Sequence, residues 1–261
     1  MIRGPFCDHL KRLIAENPQI ASRRQVVRGE SVYTCGDSDD RIYVLERGQL
    51  KTTIYSAEGK QCLLAIYGEG DTFGELGVLG GIRHETVIAM RDSVVWHINA
   101  ARFFNLLGRD HNLVRCYLRI ITERVSDQQQ TITQLVTLDG EHRLAATLLR
   151  IGRKLGQRIE DQIWIEGRIT QEELASMVGT TRSRIGLFLK NFRERGLVHQ
   201  LQDGRLCLDE TRLLDYVEDG ADPRPPAPIP APVTTAPPAA APVTAGRREL
   251  AAVAAGYGTR V

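Results

Sequence analysis

The sequence predicts an α+β chain: an antiparallel β-roll of jelly-roll type, one long helix, and a small domain of crossing helices closed by a β-hairpin. Three observations carry this. Between Gln25 and Asn99, short β-branched and aromatic runs alternate with turn chemistry roughly every ten residues, as in a compact all-β barrel or sandwich. From about Asp110 to Leu138 there is neither Pro nor Gly, and apolar residues recur at helical spacing. Beyond Thr170, a capping pattern, a glycine turn and an Asp-Gly hairpin signal follow one another. The chain divides accordingly into a roll over 1–109, a helix over 110–138, a second domain over 139–219 and a Pro/Ala-rich tail over 220–261.

The elements follow in order. Phe6, Leu10, Leu13 and Ile14 make a short helical lead that Asn17-Pro18 stops. The strand runs are Gln25–Val27, Ser31–Tyr33, Ile42–Leu45, Leu50–Tyr55, Cys62–Tyr67, Thr86–Ala89 and Val94–Ile98. Between them lie the turns Arg28–Glu30, Cys35–Asp40, Glu46–Gly48, Ala57–Lys60 and Gly68–Asp71. Ala101–Leu107 reads as a short helix leading into the long one, which would span roughly 40 Å at about 1.5 Å per residue. Along it, Leu118, Ile121, Val125, Gln128, Ile132 and Leu135 are spaced 3, 4, 3, 4, 3. That is the period of a coiled-coil seam, so the helix reads as a homodimer axis with one polar seam position, Gln128.

After the break at Asp139-Gly140, a helix carries Leu144, Leu148, Leu149 and Ile151. Gly156–Gly167, with Ile163-Trp164-Ile165 inside it, reads as a short strand or loop. Thr170 opens the next helix as N-cap, with Glu173 reaching back. Val198–Leu201 and Arg205–Leu208 flank the Asp203-Gly204 turn, and a last helix covers about Glu210–Val217. The tail, with Pro223, Pro225, Pro226, Pro228, Pro230 and further prolines among Ala, Thr and Val, reads as disordered and partly extended; Arg247–Val261 suits a short Ala-rich helix.

Composition narrows the function classes. A net charge of +2 over 261 residues confines any basic surface to a local patch. No run of about 18 apolar residues is present, and Met1–Cys7 lacks the apolar stretch of a secretory signal, so a cytoplasmic protein without a membrane partner is expected. Five scattered cysteines without a Cys-x-x-Cys pair argue for a reducing compartment and against a disulfide scaffold, a zinc finger or an iron–sulfur cluster. Residues 140–218 hold no nucleophile–base or metal constellation, so neither catalytic nor metal-binding residues are assigned and no enzyme is expected.

Gln171–Lys190 has the makings of two helices crossing at a tight turn. Ala175 is the small contact, Gly179 the turn, and Leu174, Val178, Ile185 and Phe188 the inner apolar set. The second helix would begin at Thr180-Thr181-Arg182 and show Arg182, Ser183, Arg184 and Lys190 outward. Residues 182–195 contain five basic side chains against one acid, Glu194, a balance that suits a phosphate backbone. The run from Gln171 to Ile185, followed by Phe192–Val198, resembles the winged helix-turn-helix of the catabolite activator/anaerobic regulator (Crp/Fnr) family of bacterial transcription factors. The resemblance covers residues 5 to about 218. It implies that the second helix enters the major groove of double-stranded DNA, and that Arg182 reads a guanine while Thr170, Gln171 and Thr180 meet phosphates. Ser183 stands where the family usually has glutamate and Leu187 where a further arginine is frequent, which separates this chain from the best-known family operator.

Phe73–Arg83 resembles the cyclic-nucleotide cassette of the same family. Its chemistry is legible in the residues: Gly74 allows close backbone approach, Glu75 can accept from a ribose hydroxyl, the small residues to Gly81 expose N–H groups, and Arg83 brings positive charge to a phosphate. The resemblance adds Leu76 and His84 on the cassette, and Arg124, Gln128 and Gln129 on the long helix, as ligand-binding positions. It implies an Arg124–Glu75 or Arg124–phosphate link. His84-Glu85 replaces the usual Ser/Thr-Ala, and the two glutamines replace the shorter residues that touch the purine. The expectation is a homodimeric DNA-binding regulator controlled by a small ligand in the roll, with cyclic AMP, cyclic GMP and cyclic di-GMP as candidates. The alternative is a ligand-independent regulator with a degenerate pocket. The resemblance implies RNA polymerase as a further partner.

Overall fold

The computed structural model describes residues 3–78, 80–160, 162–201 and 203–220. Helix α1 (Arg3–Glu16) ends where Asn17-Pro18 was expected to stop it, in a short 3-10 turn over Pro18–Ile20. The roll contains β1 (Ser22–Val26), β2 (Ser31–Tyr33), β3 (Ile42–Tyr55), β4 (Gln61–Tyr67), β5 (Thr72–Phe73) and β6 (Thr86–Ile98). They form a six-stranded antiparallel sheet in the order β1-β6-β3-β4, with β2 on β6 and β5 on β3. Two long bent strands take the place of four short expected ones. β3 absorbs the Glu46–Gly48 turn as a kink, with register shifts between Leu45 and Leu50. Gly48 at φ 113° is required there, because a Cβ would lie 2.2 Å from the Ser93 hydroxyl across the sheet.

Two apolar clusters hold the roll. Inside it, Tyr33, Tyr43, Tyr67 and Phe73 pack with Val32, Leu45, Leu50, Val87 and Val95; Tyr43 and Tyr67 stack on Phe73 at 5.1 and 5.3 Å between ring centroids. At its end, α1 (Phe6, Leu10, Ile14) and α2 (Ala100–Arg109; Phe103) close over Ile42, Val44 and Ile98.

Helix α3 (His111–Thr137) is the expected long helix, capped by the Asp110 carboxylate accepting from the backbone N–H of Asn112 and Leu113. Only its first turns join a core, through Leu113 and the half-buried Tyr117 and Ile120. Further along, Leu118, Val125, Ile132 and Leu135 are exposed in this single chain, with Leu118 at 58% and Ile132 at 62%.

Asp139 caps α4 (Gly140–Leu155), which leads into a four-stranded sheet, β7 (Gly156–Ile159), β8 (Gln162–Ile165), β10 (Leu206–Asp209) and β9 (Val198–Gln200), in the order β7-β8-β10-β9. The segment expected as a strand or loop is thus a second hairpin, and the wing is twice the size anticipated. Helices α5 (Gln171–Val178), α6 (Arg182–Glu194) and α7 (Glu210–Gly220) complete the domain. The boundary between roll and C-terminal domain is packed: Leu63 and Ile66 of β4 belong to the same apolar core as Leu144, Leu148, Leu174 and Ile185. The tail and its expected Ala-rich helix lie outside the described residues.

Candidate DNA interface and ligand site

The crossing of α5 and α6 is built as the sequence suggested. Gly179 adopts φ 74° at the α5 C-cap, and Leu174, Ala175, Val178, Ile185, Leu189 and Phe192 are buried between the helices and α4. Phe188 is half-buried and lies against Gly140. Thr181 caps α6, its hydroxyl accepting from the Arg184 N–H at 3.4 Å. Arg182, Ser183, Arg184 and Lys190 are exposed on the outer side of α6, so these four predicted DNA contacts are brought together on one helix.

The N-terminal contacts differ from expectation. The Thr170 hydroxyl donates to Glu173 and accepts from its N–H, while the Thr170 N–H donates to the same carboxylate at 2.9 Å. The Thr180 N–H donates to the Ala175 carbonyl at 3.1 Å. Both amides are therefore engaged within the protein. Gln171 is half-buried beside Gly186. Glu173 also accepts from Lys51 of β3 at 2.8 Å, tying the start of α5 to the roll. Burial opposes ionisation of Glu173, but hydrogen bonds from Lys51 and Thr170 hold its carboxyl below the usual range.

Inside the roll, Gly74 stands at φ 90° and opens a 3-10 turn over Glu75–Gly77. Glu75 is ion-paired with Arg124 of α3, which also donates to the Thr72 carbonyl at 2.7 Å and lies 5.7 Å from the Tyr67 ring centroid. The link expected between cassette and long helix is thus present as a direct ion pair. Tyr67 has Lys154 of α4 at 5.1 Å from its ring, so one aromatic side chain connects cassette, long helix and C-terminal domain. Burial pushes the Tyr67 hydroxyl up to about 12.

Arg83 is placed differently from expectation. It is 1% exposed, donates to the Gly74 and Arg41 carbonyls at 2.5 Å each, pairs with Asp39 at 2.9 Å and lies 4.2 Å from the Tyr33 ring centroid. Gly74 and Gly77 make room for it: a Cβ at either would meet Arg83 Nη1 within 2.8 Å. Burial opposes ionisation of Asp39, but hydrogen bonds from Arg41, Tyr43 and Arg83 hold its carboxyl well below the usual range.

Four further expected ligand positions lie outward. In the loop that enters β6, Arg83 is buried, His84 exposed and Glu85 buried. His84 is exposed, as are Leu76, Gln128 and Gln129 in this chain. The two glutamines sit one turn beyond Arg124 on α3. Glu85, not assigned to the site from sequence, is 5% exposed and accepts from the Tyr33 hydroxyl at 2.9 Å. Burial raises its pKa, and the neighbouring Glu75 adds to this, against the Tyr33 hydrogen bond and the pull of Arg83 and Arg124. Nothing in the sequence links Asp39 to Arg83, since they meet only through the fold.

The interior arginines are already engaged by acids in this chain. Arg83 and Arg124 each have a carboxylate of their own, and Glu85 adds a third acid to the interior. The Glu75–Arg124 side remains polar, with a buried Thr72 hydroxyl lacking a hydrogen-bond partner.

Comparison with known proteins gives matches to both halves. Residues 23–110 match the cyclic nucleotide-binding domain and residues 142–216 the Crp-like helix-turn-helix domain. The CRP-like cAMP-activated global transcriptional regulator of Mycobacterium tuberculosis is 25% identical over 187 residues, covering 71% of this chain and 84% of its own. The cAMP-activated global transcriptional regulator Vfr of Pseudomonas aeruginosa is 27% identical over 203 residues, covering 75% and 91%. A CooA variant from Carboxydothermus hydrogenoformans superposes with a TM-score of 0.66 at 21% identity, covering 76% of this chain and 88% of that one, which establishes the shared fold.

Proposed function

Because the chain belongs to the Crp/Fnr family of transcription regulators, we propose that it acts as a cytoplasmic homodimer that binds a near-palindromic DNA site with α6 in the major groove. The observation that carries this is the exposed basic face of α6, held on a capped and buried helix crossing. The exposed stripe Leu118–Val125–Ile132–Leu135 on α3 supports the dimer, because a second copy of the stripe would bury it at coiled-coil spacing. A two-fold axis along α3 would set the two α6 helices about 34 Å apart, one DNA turn. Sedimentation of the full chain, together with Leu118→Glu and Ile132→Glu, tests this. A monomeric wild type, or a dimer indifferent to both charges, would sink it.

For control by the roll, we infer a small ligand between the cassette and α3, touching Glu75, Arg124 and Gln128, with a nucleotide as candidate. Occupancy would act through the Glu75–Arg124 pair and the Tyr67–Lys154 contact, which run from the cassette to α3 and α4. One observation favours a second reading, regulation without a nucleotide: the interior arginines are matched by acids, and Glu85 occupies the interior. Calorimetry of the dimer with cyclic AMP, cyclic GMP and cyclic di-GMP, alongside DNA binding without any of them, separates the two. Binding of one nucleotide at micromolar level, coupled to DNA affinity, selects the first; tight DNA binding with no nucleotide heat selects the second.

A further inference from the structure

The strip of α6 that faces away from the protein has an apolar centre. At about 100° per residue, Ser183, Leu187, Lys190 and Glu194 share one line, opposite the buried Ile185, Leu189 and Phe192, with Arg182 and Arg184 at its two edges. Leu187 is 56% exposed and lies outside the inner core that its neighbour Phe188 joins. A lone exposed leucine is ordinary on a protein surface. This one stands one turn after Ser183 and one before Lys190, on the line that base edges would meet.

A leucine can neither donate to nor accept from a base edge. Pressed against guanine, cytosine or adenine, it would strip water from polar groups and return no hydrogen bond. Thymine alone presents a methyl group in the major groove. We propose that Leu187 reads a thymine methyl by apolar contact, so that each half-site carries a T·A pair opposite Leu187. This rests on α6 being the groove-facing helix.

The test uses the full-length protein and duplex sites enriched by it from a random library. Each thymine of the enriched site is replaced singly by deoxyuridine, which deletes the methyl and leaves base pairing intact. For the wild type, one replacement per half-site is expected to weaken binding about fourfold, the value of one buried methyl. The same replacement should have no effect on Leu187→Ala and should keep its effect on Leu187→Met. Leu187 is exposed, so both variants fold, which circular dichroism verifies. If no uracil copy weakens wild-type binding, or if Leu187→Ala loses as much as wild type does, the thymine contact is wrong while DNA binding stands. If no sequence is enriched, with or without cyclic AMP, cyclic GMP or cyclic di-GMP, the groove-facing assignment of α6 falls and the thymine contact with it.

Discussion

The outer face of α6 and the interior of the roll hold their arginines in opposite ways. Arg182 and Arg184 are exposed on a single helix, and their surroundings are neighbours in sequence. Arg83 is sealed in the roll, its charge matched by Asp39, 44 residues away in the chain, and its N–H groups bound to carbonyls of Gly74 and Arg41. The exposed arginines are free to spend their charge on a partner. The buried one already holds part of the fold together, so matching a ligand-binding motif does not make it a ligand receptor.

The strongest way to break this contrast is to make the same substitution in both places. Arg83→Ala leaves the Asp39 carboxylate buried without its guanidinium and should cost roughly 3–5 kcal/mol of stability, read by urea unfolding. A loss below about 1 kcal/mol would mean that Arg83 is not structural. Arg182→Ala should leave stability within about 0.5 kcal/mol of wild type. Its cost should appear in DNA binding, as roughly 1–3 kcal/mol of discrimination at one base pair. Unchanged discrimination in competition assays would remove Arg182 from the interface.

The contrast also explains what the sequence could show. Helix α3, the α5–α6 crossing and the β-rich roll follow from periodicity, caps and turns, all local signals. The fusion of four short strands into β3 and β6 was hidden, because Gly48 reads as a turn and acts as a kink only when Ser93 passes beneath it. The β7–β8 hairpin was hidden because two four-residue strands carry little pattern until β10 pairs with β8. At the site, Arg124–Glu75 was legible through the family pattern. The inward turn of Glu85 and the outward turn of His84 depend on the path of the loop into β6, which residue type alone does not reveal.

The Lys51–Glu173 pair ties β3 of the roll to α5, the helix that crosses α6. Lys51→Ala should cost about 1–2 kcal/mol and raise hydrogen exchange at the start of α5. Glu173 is held below its ordinary value by this contact, so the stabilisation is present at neutral pH and is lost as pH falls through the lowered value. In the variant, the Glu173 titration followed by NMR should move up. An unmoved titration would assign its depression to the Thr170 cap alone.

The smallest expected effect is the sharpest test of the interior. Glu85 has its pKa raised, chiefly by burial, so the folded roll holds that proton more tightly than the unfolded chain does. The contribution of Glu85 to stability must then fall as pH rises from the ordinary carboxylate value through the raised one, the reverse of Glu173. Glu85→Gln keeps an oxygen to accept from Tyr33 and removes the charge. The variant should match wild type in acid and exceed it by about 1 kcal/mol at neutral pH. If the two curves stay parallel, Glu85 carries no ionisation penalty. The case for an interior hostile to anions would then rest on the Arg83–Asp39 and Arg124–Glu75 pairs alone.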